Sequence, residues 1–159
     1  MITFKKIRYK NFLSTGNIPI EVELNKSATT LIVGSNGSGK STLLDALCYA
    51  LFNKPFRIIK KDQMVNTINN GDTLVEVEFE VGTNQYMIRR GIKPNLFEIY
   101  QNEKLINQDA SNIDYQKYLE QNIMKLNYRS FIQVVILGSS SYEPFMKMKP
   151  RYRREVVEE

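Results

Sequence analysis

Three glycines, a lysine and a serine stand at the spacing of a phosphate cradle in Gly34-Ser35-Asn36-Gly37-Ser38-Gly39-Lys40-Ser41, which fits G-x-x-x-x-G-K-[ST]. Backbone N–H groups converge on phosphate oxygens only where side chains leave room. Gly34, Gly37 and Gly39 leave that room, so the amides of Ser35, Asn36, Ser38 and their neighbours can wrap an anion. A helix starting directly after the loop aims unsatisfied N–H groups and partial positive charge at the same place. Lys40 brings a full charge to the β- and γ-phosphates of a triphosphate, Ser41 offers an oxygen to Mg²⁺, and Thr42 a hydroxyl near the α-phosphate. Magnesium keeps most of its waters in such sites and takes one or two protein oxygens, so no all-protein cage is needed. The predicted ligands are ATP and Mg²⁺. Hydrolysis needs further parts, and no four-residue apolar run ending in Asp-Glu follows the loop.

The flanking sequence supplies the elements that must hold this loop. Ala28 to Val33 is apolar and β-branched, which predicts a buried strand feeding the loop. From Ser41 to Phe52 the apolar residues Leu43, Leu44, Leu47, Ala50 and Leu51 follow helical spacing, and Asn53 and Pro55 end the helix. Ile2 to Phe12 is predicted as a strand. Ile18 to Leu24 alternates Ile18, Ile20, Val22 and Leu24 with Glu21 and Glu23, the pattern of a strand with one wet face. Leu74 to Val81 and Gln85 to Arg90 form a predicted hairpin, followed by strands at Leu96 to Gln101 and Lys104 to Ile106 around Asn102-Glu103. The glutamates at 76, 78 and 80 point outward in this pattern. Ser111 to Met124 reads as a helix with Ile113, Tyr118, Leu119 and Ile123 inward, and Phe131 to Leu137 as another strand. Arg151 to Glu159 is charged and helix-prone, and no terminating signal follows it.

Composition prunes the alternatives. The 159 residues hold no histidine and one cysteine, so a His-based triad, a His- or Cys-ligated zinc and an internal disulfide are excluded. Cys48 is predicted to be a small buried apolar residue. The net charge of +5 is uneven: residues 1–61 carry ten basic and three acidic side chains, 62–124 five and ten, and 125–159 seven and four. A basic first third suits polyanions. With no long apolar stretch and no secretion signal, a cytoplasmic protein without membrane contact is predicted.

Three segments resemble the N-terminal ATPase lobe of the SMC-like DNA double-strand-break repair ATPases of the SbcC type, above all the large subunits of T4-like phage recombination endonucleases. They are Ile7-Arg8-Tyr9-Lys10-Asn11-Phe12-Leu13-Ser14, Gly34 through Phe52 with its Leu-Leu-Asp-Ala-Leu run, and Phe131 to Met146. Lys54-Pro55-Phe56-Arg57 and Arg90-Gly91-Ile92-Lys93-Pro94-Asn95 resemble the phage branch. The resemblance implies an α/β fold, an ABC-type P-loop ATPase lobe with a mixed sheet around the loop helix and an antiparallel sheet beside it. Residues 1–150 would be the N-terminal half of the head, and 151–159 the start of a coiled-coil helix. It further implies a C-terminal half carrying the Walker B and signature motifs, an ATP-dependent homodimer and a metallophosphatase nuclease partner. Host cytoplasm would be the location if the chain is of phage origin. The family's Q-loop glutamine would fall at Gln133 or be replaced by Ser139. DNA would lie on Arg57, Lys60, Lys61, Arg89, Arg90, Lys93 and Lys104. A chromosome-organising SMC ATPase and an ABC transporter ATPase subunit are the alternative functions.

Overall fold

The computed structural model describes residues 2–27, 41–57, 59–106, 112–134 and 151. The predicted strand at Ala28 to Val33, the loop residues Gly34 to Lys40 and the coiled-coil start after Arg151 lie outside the described residues, so the mixed sheet is not among the elements below. Strands β1 (Ile2–Lys10), β2 (Ile20–Glu23), β3 (Thr73–Val81), β4 (Asn84–Ile92), β5 (Leu96–Gln101) and β6 (Lys104–Leu105) form one antiparallel sheet in the order β2-β1-β3-β4-β5-β6. Helix α1 (Thr42–Phe52) covers one face. Two shorter helices follow: α2 (Asn112–Tyr118), continued by a π-helical turn over Leu119–Met124, and α3 (Tyr128–Val134).

The period-2 pattern decides which face meets α1. Val75, Val77 and Phe79 of β3, Ile88 of β4 and Ile99 of β5 are buried, and they pack in one core with Ala46 to Phe52 of α1. β1 breaks the pattern, since Ile2 and Phe4 have even numbers whereas the buried Ile7 and Tyr9 have odd ones. A bulge between Phe4 and Lys6 reconciles them: Phe4 faces Phe79, Lys6 faces Glu78, and Lys5 is the extra residue. Both pairs therefore reach the core, with Phe4 lying 5.9 Å from the rings of Phe79 and Phe131.

The hairpin turns follow from φ. Gly82, at φ 62°, takes the first central position between Val81 and Asn84, and Asn102 and Glu103 both adopt positive φ between Gln101 and Lys104. Gly91 is required by a close approach, because a Cβ there would stand 2.8 Å from the Thr73 carbonyl oxygen.

Three expectations need correction. The run at Phe131 is a helix. Asn127 accepts from the backbone N–H of Ser130 at 2.8 Å, a side-chain N-cap that starts α3, and a short apolar run cannot by itself distinguish strand from buried helix. The second strand begins at Ile20 rather than Ile18, and Ile18 is 84% exposed, because β2 is an edge strand reached through Pro19. In the helix after Ser111, Tyr115, Leu119 and Ile123 point inward, while Tyr118 is 38% exposed.

The outer face of the sheet is a charge ladder. Glu21, Arg8, Glu76, Arg89 and Glu98 sit side by side across β2, β1, β3, β4 and β5. Arg8 reaches Glu21 at 3.2 Å and Glu76 at 3.3 Å, and Arg89 reaches Glu98 at 3.1 Å. Glu21, Glu76 and Glu98 are thus paired across strands. Among the described residues no helix is long and apolar enough to cross a membrane.

Candidate functional site

The two described residues of the phosphate motif sit at the head of α1. Ser41 is exposed, in right-handed helical geometry, and its carbonyl accepts the first helical hydrogen bond from Asp45 at 3.1 Å. Thr42 follows and is buried. The exposed Ser41 hydroxyl suits one magnesium contact, and among the described residues no cluster of three acidic or thiol groups could hold a metal. The remaining motif residues, Gly34, Ser35, Asn36, Gly37, Ser38, Gly39 and Lys40, lie outside the described residues, as does Ser139.

α1 is apolar nearly all round, and Asp45 is its one charged residue. That carboxylate is 0% exposed, one turn from Ser41. It accepts from the backbone N–H of Arg57 at 2.8 Å and from Arg57 Nε at 2.7 Å, and Arg57 Nη2 stands 2.6 Å away. The bidentate fork and the positive end of the helix together offset the cost of burying the charge. The chain after α1 is thereby folded back along it. Asn53 leaves the helix in the left-handed region, Tyr128 donates to the Pro55 carbonyl at 3.0 Å, and Lys54 lies 5.4 Å above the Tyr128 ring. Sequence reasoning assigned Asp45 no role, although a lone charge inside an apolar helix signals a required partner.

Gln133 stands half-buried on α3, not on a strand. That helix packs on the end of α1, with Phe52 lying 5.2 Å from Phe131 and 5.8 Å from Tyr128. These contacts join Gln133's helix to the Phe52 end of α1, away from Ser41.

The basic residues proposed for DNA do not form one surface of equals. Arg57 is half-exposed but tied to Asp45, while Lys60, Lys61, Lys93 and Lys104 are exposed. Arg89 is part of the charge ladder. Arg90 has to be corrected outright: it is 5% exposed, and its donors serve the protein. Nε donates to the Ala50 carbonyl at 3.0 Å, Nη2 donates to Gln116 Oε1, and the guanidinium lies 3.7 Å above the Phe97 ring. Gln116 in turn donates to the Leu51 carbonyl at 2.8 Å, so both side chains satisfy carbonyls that the C-terminus of α1 leaves open. Burial lowers the Arg90 guanidinium to about 10, with Tyr49 and Glu120 opposing the shift, and it stays charged at neutral pH. Tyr9 and Tyr86 are strand-packing residues, Tyr9 edge-on to Phe12 and Tyr86 stacked on Phe79.

The profile of a family described as AAA domain matches residues 6–159. The chain belongs to that AAA domain family. This AAA domain is 44% identical over 161 residues to Exonuclease subunit 2 of Escherichia phage RB69, covering 100% of the chain and 28% of that protein. Against Exonuclease subunit 2 of Enterobacteria phage T4 it is 44% identical, covering 97% of the chain and 27% of that protein. The DNA double-strand break repair Rad50 ATPase of Methanococcus maripaludis is 31% identical over 96% of the chain and 15% of its own length. The chain thus spans about a quarter of the phage relatives it matches. Among solved structures, one described for ATP-driven dimerisation and DNA-stimulated activation of SMC ATPases gives a TM-score of 0.63 at 22% identity, covering 98% of the chain and 97% of that structure. The Smc head domain from Pyrococcus yayanosii also gives 0.63, at 21% identity over 99% of the chain and 32% of its own. The AAA domain therefore has the fold of an SMC-type ATPase head.

Proposed function

We propose that this chain is the N-terminal portion of the ATPase head of a DNA double-strand-break repair nuclease. Residues 1–150 form half of the head and 151–159 begin a coiled-coil helix. Gly34 through Thr42 bind ATP, and Ser41 supplies the protein oxygen to Mg²⁺. The observation that carries this reading is the junction of the phosphate motif with a well-formed α1 whose exposed Ser41 stands at the helix head. The 44% identity to phage exonuclease subunits, against 22% to an SMC ATPase, favours a repair nuclease over chromosome organisation.

In this reading the binding half and the hydrolytic half are separate stretches of one polypeptide. A C-terminal half supplies the Walker B carboxylates, and a second protomer closes on the γ-phosphate. DNA ends then reach a metallophosphatase nuclease partner according to nucleotide state, in the host cytoplasm. Gln133 or Ser139 serves the Q-loop role in this reading. Lys40→Ala should abolish calorimetric binding of a nonhydrolysable ATP analogue with Mg²⁺ while circular dichroism stays unchanged. Undiminished affinity would overturn the assignment.

A further inference from the structure

A cleft of about 750 Å³ opens at the far end of α1, between that helix, β4–β5 and α2. It lies at the opposite end of α1 from Ser41, and nothing in the proposed ATPase mechanism uses it. Two of its lining groups carry unspent polar capacity. Tyr49 is fully buried and its ring is fixed by stacking on Phe12 at 5.6 Å, yet its hydroxyl has no hydrogen-bond partner. Arg90 is a buried cation on whose charge Tyr49 and Glu120 act. Its hydrogen bonds run through Nε and Nη2 to a carbonyl and an amide oxygen, which leaves Nη1 without one. A buried hydroxyl without a partner is costly, and one anionic oxygen pair would satisfy it together with the remaining Arg90 Nη1.

We propose that this cleft binds a small carboxylate with a flat apolar body, the carboxylate accepting from Arg90 Nη1 and Tyr49 Oη. The flat body is set by the aromatic walls, Phe97 beneath the guanidinium and Tyr115 on α2. Occupation would bear on α1, because Arg90 also caps the Ala50 carbonyl.

Calorimetric titration with sodium benzoate tests this on the chain carrying Lys40→Ala, in which the phosphate loop contributes no anion site. Saturable millimolar binding is expected, and inorganic phosphate at pH 8 should bind at least tenfold more weakly. Adding Tyr49→Phe keeps the ring and its stacking and removes only the unpaired hydroxyl. This change should raise the melting temperature without ligand and weaken benzoate at least fivefold. Absence of saturable benzoate binding, unchanged affinity in the Tyr49→Phe chain, or phosphate binding tighter than benzoate would each overturn the proposal. The ATP-binding reading is untouched by any of these results, since its test compares nucleotide affinity with and without Lys40 and involves no benzoate.

Discussion

At the scale of single residues, Asp45 and Arg57 form the most consequential pair. The carboxylate is shut away from water, and its neutralising guanidinium is half in solvent, so removing Arg57 strands a buried charge. Arg57→Ala should destabilise the fold by about 2 kcal/mol in urea unfolding, below the usual loss for a fully buried pair because Arg57 is itself half-exposed. Arg57→Lys should recover only part of this, since an ammonium cannot reproduce the two-point fork. Cys48, three positions on, has its thiol pushed up to about 12 by burial, with the Asp45 charge adding to the shift. The neutral thiol is the form the fold favours. Its contribution is therefore complete below the ordinary thiol value near 9 and is lost as pH rises towards 12. Thermal melts should accordingly show falling stability across that window. Native chain at pH 8 should leave a thiol-disulfide reagent unreacted until denaturant is added.

Among the elements, β1 shows how a strand accommodates a mismatch between its apolar spacing and its partner. Lys5 is the surplus residue of the bulge, and without it Phe4 and Ile7 would stand two positions apart and still share a face. Deleting Lys5 removes a part-exposed ion pair to Glu80 at 3.0 Å and the bond from the Leu24 N–H to the Lys5 carbonyl at 2.8 Å. Each is worth about 1 kcal/mol or less, so the melting temperature should fall by no more than about 10 °C. Loss of folding in this deletion would mean that the bulge itself, through its added twist, is indispensable. α1 is secured differently at its two ends. Asp45 and Arg57 hold its first turns, whereas Arg90 and Gln116 hold its last carbonyls from two other elements. Both ends of α1 are thus anchored by the protein's own groups.

Across the whole molecule, charge is sorted by surface. The outer sheet face cancels its own charge along the Glu21 to Glu98 ladder, and the exposed cations Lys54, Arg57, Lys60 and Lys61 gather in the segment after α1. A polyanion should therefore contact this segment rather than the sheet face. In the complete protein, changing Lys60 and Lys61 to serine should reduce the slope of log affinity for duplex DNA against log salt by about 2. A slope unchanged by this double substitution, but reduced by neutralising Arg8 and Arg89, would place the nucleic acid on the sheet instead.

The local chemistry was legible without coordinates because it is local. The glycine spacing before Lys40, the period-2 glutamates of β3, the positive-φ turns at Gly82 and Asn102 and the 3.6 period of α1 each depend on neighbours within a few positions in the chain. Tertiary contact decided the rest. Gly91 is needed for the approach of a strand paired to its own, and Arg90 became a helix cap because β4 carries it under Ala50, forty positions earlier. Asp45 found its counter-ion only when the chain folded back, and Phe131 became helical through a cap at Asn127 and packing against Phe52. A charge's role depends on what stands beside it in space, and burial and partner, set by residues far apart in sequence, separate a buried guanidinium from a surface cation of the same type.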